Sequence, residues 1–362
     1  MKVLSIGYEK FTAGGPYSVE KSYIKVLKNL DFNVEKFEYD NFFSKYFFSK
    51  IKLSNYLNNF DIIHFHNIFD IKAALIAGIC NNLSIPYVVS SHGNLNYWSM
   101  KKSTLKKKLF LYIFRSYIYN SRAIHVLNNF EKKEISSFIN LKKLKLFLLP
   151  NCVDVVDFEN IEKKKNRLFT ILFFGRLDFK KGILELLDLI NYFKIKSIKD
   201  IRFLFVGPKE KKIYGTFINK IKKLKLNDLI EIREPTKNHE EKLKVFAESD
   251  IFILPSKDEA DSVSVKESLS AGLPVIISKN CKFEANANNL QFIKILDNNH
   301  AQQFIDAINF FYQNKYRMNL FSEEAKKFAK NNFSIKKIFT TLPEIYYDCV
   351  SYSQDSDSWT NE

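Results

Sequence analysis

Ile251-Phe-Ile-Leu-Pro255-Ser-Lys-Asp-Glu259-Ala-Asp-Ser-Val-Ser-Val-Lys-Glu267-Ser-Leu-Ser-Ala-Gly272-Leu-Pro-Val275-Ile-Ile-Ser278 is the stretch whose reading decides the fold. The apolar run 251–255 reads as a buried strand. Ser262 reads as the N-cap of a helix over 263–271, Gly272-Leu273-Pro274 as its stop, and 275–278 as the next strand. Strand, loop, helix, strand is a parallel βαβ unit. It puts the loop after its first strand at the carboxyl edge of the sheet, where open α/β folds bind ligands and a helix N-terminus offers amides to anions. Glu259 lies on that loop and Glu267 in the helix, with seven residues between them. Spacing alone also fits two solvated acids; the flanking strand, stop and apolar tail favour a site.

Three further segments put chemistry at strand ends. In Ile171-Leu-Phe-Phe-Gly175-Arg176-Leu-Asp-Phe-Lys-Lys181-Gly182, an apolar strand ends at Gly175 and a helix begins near Gly182, so Arg176 and Lys181 occupy a strand-to-helix corner. Only seven of the 56 basic residues are Arg, which sets Arg176 apart from a Lys-rich background. The planar guanidinium fork fits a diphosphate and Lys adds a mobile charge. At the N-terminus, Lys2-Val-Leu-Ser-Ile-Gly7 reads as a first strand, and Thr12-Ala-Gly14-Gly15-Pro16 leads into a helix from about residue 17 to 30. Gly14 and Gly15 allow backbone to approach a ligand. Pro86-Tyr-Val-Val-Ser-Ser-His92-Gly93-Asn-Leu-Asn-Tyr-Trp98 puts His92 just past another strand; a lone histidine there is more often packed or solvated than catalytic.

Together these segments resemble the retaining glycosyltransferases of family 4, whose signature is a Glu, seven residues, and a second Glu. Further pieces resemble the family in order: Asp61-Ile-Ile-His64-Phe-His66, Ala123-Ile-His125 and Leu149-Pro-Asn151-Cys152-Val-Asp154. The resemblance implies the GT-B fold: two Rossmann-like α/β domains facing across a cleft, with a C-terminal helix crossing back to the first. It places Glu259 against the donor sugar, Glu267 on the ribose hydroxyls, and Arg176 and Lys181 on the departing diphosphate. Gly14, Gly15, Asp261 and Ser262 complete the donor site. His92 becomes a positioning, charge-stabilising group near the reacting carbon, as in polysaccharide-assembling members. With Arg and Lys in that role no metal and no other cofactor is expected. Two departures stand out. Cys152 replaces the family's usual Gly, which argues against a positive φ there, and Asp261-Ser262 replaces the usual Phe-Gly, so donor identity cannot be carried over.

A chain of 362 residues, 46% hydrophobic, accommodates two cores. We expect an acceptor-binding domain over 1–160, a nucleotide-sugar domain over 161–335, a crossover helix over 336–352 and a disordered polar tail over 353–362. The junction is expected near residues 155–168, where the charged run 159–167 breaks the strand and helix pattern. His64 and His66 alternate on a strand, fitting polar tips near the cleft, and no third ligand at useful spacing suggests metal. Cysteines 80, 152, 281 and 349 lack paired spacing, Glu9 and Lys10 interrupt the first apolar run, and no long apolar stretch exists, so a cytoplasmic protein is expected.

The net charge of +16 fits nucleic acid, anionic lipid, or merely a Lys-, Asn-, Ile- and Phe-rich composition. Nucleic acid is disfavoured because the aromatics follow core periodicity. Lys101, Lys102, Lys106, Lys107 and Lys108 precede the apolar Leu109-Phe-Leu-Tyr-Ile-Phe114, a segment suited to peripheral contact with anionic lipid, or simply a helix with a solvated basic face and a buried apolar one. The expected reaction moves a hexose from a nucleotide-diphosphate sugar to a growing, lipid-linked glycan. A sugar-nucleotide epimerase, a phosphorylase, or a non-catalytic phosphate- or nucleic-acid-binding protein are the alternatives on such a fold.

Overall fold

The computed structural model of the chain describes residues 1–7, 15–38, 49–101, 104–159, 161, 163, 167–284, 290–297 and 300–351. Gly14, Lys102 and the tail 353–362 lie outside the described residues. The chain divides into two compact units, Met1–Cys152 with Ile335–Glu362, and Val153–Ser334.

The first unit runs β1 (Lys2–Gly7), α1 (Gly15–Asn29), β2 (Asn33–Glu38), α2 (Lys50–Leu57), β3 (Ile62–Phe65), α3 (Ile71–Asn82), β4 (Tyr87–Ser90), α4 (Tyr97–Lys101), α5 (Thr104–Ile113), α6 (Arg115–Tyr119), β5 (Ala123–Val126), α7 (Asn129–Ser136) and β6 (Leu146–Leu148). Its strands are all parallel in the order β2-β1-β3-β4-β5-β6. Order reverses between β1 and β3, the place where such sheets open a crevice at their carboxyl edge. β3, β4 and β5 are buried throughout, as strands covered on both faces must be. Asp70 starts α3 by accepting from the Lys72 and Ala73 N–H groups.

The second unit runs α8 (Val156–Glu159), β7 (Phe169–Phe174), α9 (Ile183–Ile195), β8 (Ile201–Val206), α10 (Lys211–Leu224), β9 (Ile230–Arg233), α11 (His239–Ala247), β10 (Ile251–Leu254), α12 (Val263–Ser270), β11 (Val275–Ser278), β12 (Ile293–Leu296), α13 (Ala301–Gln313) and α14 (Met318–Phe333). Strand order is β9-β8-β7-β10-β11-β12, the dinucleotide-binding arrangement, with its reversal between β7 and β10. The expected βαβ unit is present: β10 and β11 pair in parallel around α12, and Gly272, at φ 74, takes the left-handed turn that stops the helix. Ser262 takes the N-cap position of α12, as expected, with extended backbone, but its hydroxyl pairs with the Ser264 hydroxyl at 3.1 Å instead of accepting from a backbone N–H.

α15 (Lys336–Ser351) follows and belongs with the first unit, where it packs on α1 and β3. Its apolar positions Ile338, Leu342, Ile345, Tyr346 and Cys349 recur at helical spacing and are all buried. Cys152 takes no left-handed φ. Among the described residues no helix is long and apolar enough to cross a membrane.

Candidate active site

In the second unit, the loops after β7 and β10 meet where strand order reverses. Asp178 accepts from the Lys181 N–H at 3.1 Å and rounds the chain into a single 3-10 turn over 179–181. Gly182 then takes φ 74, and a Cβ there would collide with the Pro255 carbonyl oxygen. Only glycine satisfies both demands. The Lys180 carbonyl is held from the other side by the Lys257 N–H at 2.8 Å and the Ser256 hydroxyl at 3.1 Å.

This strapping brings Lys181 Nζ to 2.6 Å from Glu259 Oε1, which also accepts from the Ser256 hydroxyl at 2.6 Å. Burial pushes the Glu259 carboxyl up, but Lys181 and Lys180 and the hydrogen bonds from Lys181 and Ser256 outweigh it and hold the group below its usual range. Glu267 pairs with Lys242 on α11 at 2.7 Å, Asp261 with Lys266 at 2.5 Å, and Asp258 with both Lys180 (2.9 Å) and Lys282 (2.8 Å). Each acid of the segment therefore carries a lysine. The Arg176 side chain is the open one, 55% exposed, with its Nε 3.7 Å from Asp178.

The first unit gathers four histidines behind the carboxyl edge of its sheet. The Leu149 carbonyl can only accept, so His125 Nε2 carries a proton and donates to it at 2.7 Å. A neutral ring then has a bare Nδ1, which accepts from the Ser90 hydroxyl at 2.8 Å. Ser90 accepts in turn from His64 Nε2 at 2.7 Å, leaving His64 Nδ1 to accept from the Tyr346 hydroxyl at 2.6 Å. The result is a directional chain from α15 to the end of β6. Burial, and after it the His125 imidazole, hold His92 down to about 3. Burial lowers His125 to about 4 against the Leu149 bond, and burial with the neighbouring imidazoles holds His64 and His66 well below the ordinary histidine value, so the rings are neutral.

His64 and His66 are each 1% exposed. His92, partly exposed, reaches back to His66 with Nε2 3.1 Å from Nδ1, the rings stacked at 16°. Gly15 opens α1. Among the described residues no group of three or more His, Cys, Asp or Glu side chains could hold a metal ion.

The family models agree with this architecture half by half: "Glycosyltransferase Family 4" matches residues 14–157 and "Glycosyl transferases group 1" residues 156–332. The chain belongs to glycosyltransferase family 4. This glycosyltransferase is 27% identical over 317 residues, covering 80% of this chain and 76% of the relative, to the UDP-Gal:alpha-D-GlcNAc-diphosphoundecaprenol alpha-1,3-galactosyltransferase of Escherichia coli. It is 24% identical to an uncharacterized 41.2 kDa protein in the cps region of Klebsiella pneumoniae, covering 84% of this chain and 83% of that one. Among solved structures it resembles Anabaena HepE in complex with UDP (TM-score 0.73, 14% identity, 96% of this chain and 100% of that chain). It also resembles a glycosyltransferase from Rickettsia africae (TM-score 0.75, 17% identity, 96% and 98%). Those two likenesses establish the GT-B fold.

Several neighbours of the motifs in this family 4 enzyme were not legible in its sequence. Lys242, Lys282 and His125 reach their places only through strand and helix packing. Glu131 had a signal that pointed elsewhere: Asn128 and Glu131 have the spacing of a helix-capping pair, and Asn128 does accept from the Glu131 N–H at 2.8 Å.

Proposed function

We propose that this enzyme transfers a hexose from a UDP-sugar to a hydroxyl of a lipid-linked glycan, with retention of anomeric configuration. The observation that carries the reading is the paired placement of Glu259 with Lys181 and Glu267 with Lys242 at the switch point of the second sheet, beside the open Arg176. In this reading Glu267 receives the ribose hydroxyls, Glu259 faces the sugar, and Arg176 and Lys181 balance the charge of the departing diphosphate, a task that needs no metal. Asp261, Ser262, Gly14 and Gly15 border the donor, and His92 stabilises charge near the reacting carbon. Support for UDP and for the lipid-linked acceptor comes from the Escherichia coli relative, whose name specifies both, and from the UDP bound to HepE.

The same reading includes peripheral contact with the inner face of an anionic membrane through α5. None of its residues is buried, and Leu105, Leu109, Tyr112 and Ile113 are 55–82% exposed. At helical spacing these four share one side, flanked by exposed Lys106 and Lys108, with Lys101 exposed nearby. Lys107 belongs to the opposite side: it donates to the Ser99 carbonyl at 2.9 Å and lies over the Phe69 ring, so it is withdrawn from the expected lipid-facing set.

The deciding experiment is thermal stability against UDP, GDP, ADP and CMP, with Glu267→Ala as control. A ligand at 100 times its Kd stabilises by about 2.7 kcal/mol. A shift selective for UDP and lost in Glu267→Ala is expected, followed by release of UDP with a new α-glycosidic product. No shift with any nucleotide would overturn the reading.

A further inference from the structure

Immediately after β4, two successive residues take left-handed backbone, His92 at φ 44 and Gly93 at φ 77. Glycine does so freely, whereas a histidine there must be held. The Glu131 carboxylate supplies the hold. Its Oε1 accepts from the Ser91 hydroxyl and from the Gly93 N–H at 2.6 Å, the residues on either side of His92. Its Oε2 accepts from the Leu127 N–H at 2.6 Å, just past β5. A glutamate at this point of a helix ordinarily folds back on its own cap residue. Here it reaches beyond the cap to the neighbouring strand's loop. The residue is 1% exposed, so these charge-assisted bonds are shielded from water. The Asn94 N–H closes the turn onto the Ser91 carbonyl at 2.9 Å.

We infer that Glu131 is a positioning residue: by gripping both neighbours of His92 it fixes the backbone that aims this imidazole at His66 and at the carboxyl edge of the sheet. The consequence for turnover rests on the role of His92 given above; the grip itself does not.

The test labels the Cε1 carbons of the histidine rings and follows them by NMR against pH, the His92 signal being assigned by its loss in His92→Ala. In Glu131→Ala the His92 midpoint is expected to rise by about one pH unit or more toward the ordinary histidine value, with His64 and His125 unmoved. Glu131→Gln keeps an oxygen for Ser91 and Gly93 and should restore most of the wild-type behaviour. Ser91→Ala removes one grip with Glu131 in place and serves if Glu131→Ala does not fold. A folded Glu131→Ala or Ser91→Ala whose His92 titrates as in the wild type overturns the inference.

Turnover is read as UDP released from UDP-galactose. The double variant His92→Ala/Glu131→Ala should be no slower than His92→Ala alone, because the two residues act as one unit. Losses that multiply would also overturn it. Full turnover in His92→Ala with a displaced His92 midpoint in Glu131→Ala would leave the grip standing and remove the chemical role of His92.

Discussion

Lys181 Nζ lies 2.6 Å from Glu259 Oε1, joining the loop after β7 to the loop after β10 across the point where the second sheet reverses its strand order. The two are 78 positions apart in sequence. Their pairing leaves a carboxylate that is ionised although largely buried, and a cation held still beside it. Lys181→Met should lower turnover by about 100-fold, the usual loss for one preorganised charge-stabilising group, and destabilise the fold by roughly 1–3 kcal/mol as Glu259 loses a partner. Steady-state rates and urea unfolding measure the two effects separately.

Arg176 should separate function from stability in the opposite way. Its side chain is half in solvent and lends the core little, so Arg176→Ala is expected to change unfolding free energy by no more than about 0.5 kcal/mol. Donor KM should nevertheless rise by about tenfold or more, and Arg176→Lys should recover only part, since a point charge does not reproduce a bidentate fork. A KM indistinguishable from wild type would remove Arg176 from the diphosphate site. Chelation by EDTA should leave the rate unchanged if Arg176 and Lys181 carry that charge.

Gly182→Ala tests the strap beneath the site. A methyl group would meet the Pro255 carbonyl and the backbone would have to leave φ 74, at a cost of about 1–3 kcal/mol. Because the displaced segment carries Lys181, UDP binding measured by calorimetry should weaken together with stability.

Acid should unfold the first unit through its histidines. His125 takes up a proton near 6.5 when unfolded but only near 4 when folded, so between those values the unfolded chain binds more protons and stability falls as pH falls. At ~1.4 kcal/mol per pH unit, His125 alone removes about 3 kcal/mol by pH 4, and His92, His64 and His66 act with the same sign. The depressed Glu259 carboxyl adds a loss in the second unit below its unfolded value of 4.5. Urea midpoints taken from pH 7 to pH 4 should decline steadily; a flat profile would contradict neutral, buried rings.

Membrane contact through α5 predicts that Leu109→Glu abolishes flotation with vesicles containing anionic phosphatidylglycerol. Lys106→Gln with Lys108→Gln should weaken it by roughly 1 kcal/mol per lysine, about fivefold each. Vesicles of zwitterionic lipid alone should retain little protein. Flotation equal in all variants would reassign the exposed ridge.

The sequence by itself determined the alternation of strand and helix, the βαβ unit around Glu267, the corner carrying Arg176 and Lys181, and the strand end carrying His92. These are local matters: an apolar run of strand length, a glycine where the chain must turn left-handed, and the rule that parallel strands deliver their loops to one edge. Tertiary structure alone decided which lysine meets which acid. It also made His64, Ser90 and His125 one directed hydrogen-bond chain, and brought Glu131 to the loop of His92. Those partners come from different strands and helices, and no periodicity along the chain records a neighbour across a sheet. The α5 segment shows the same limit at short range. Apolar residues fill most of its circumference between Leu105 and Phe114, so spacing could not say which side turns inward. Packing settled that, seating Phe110 and Phe114 against the core and leaving Leu105, Leu109, Tyr112 and Ile113 in water.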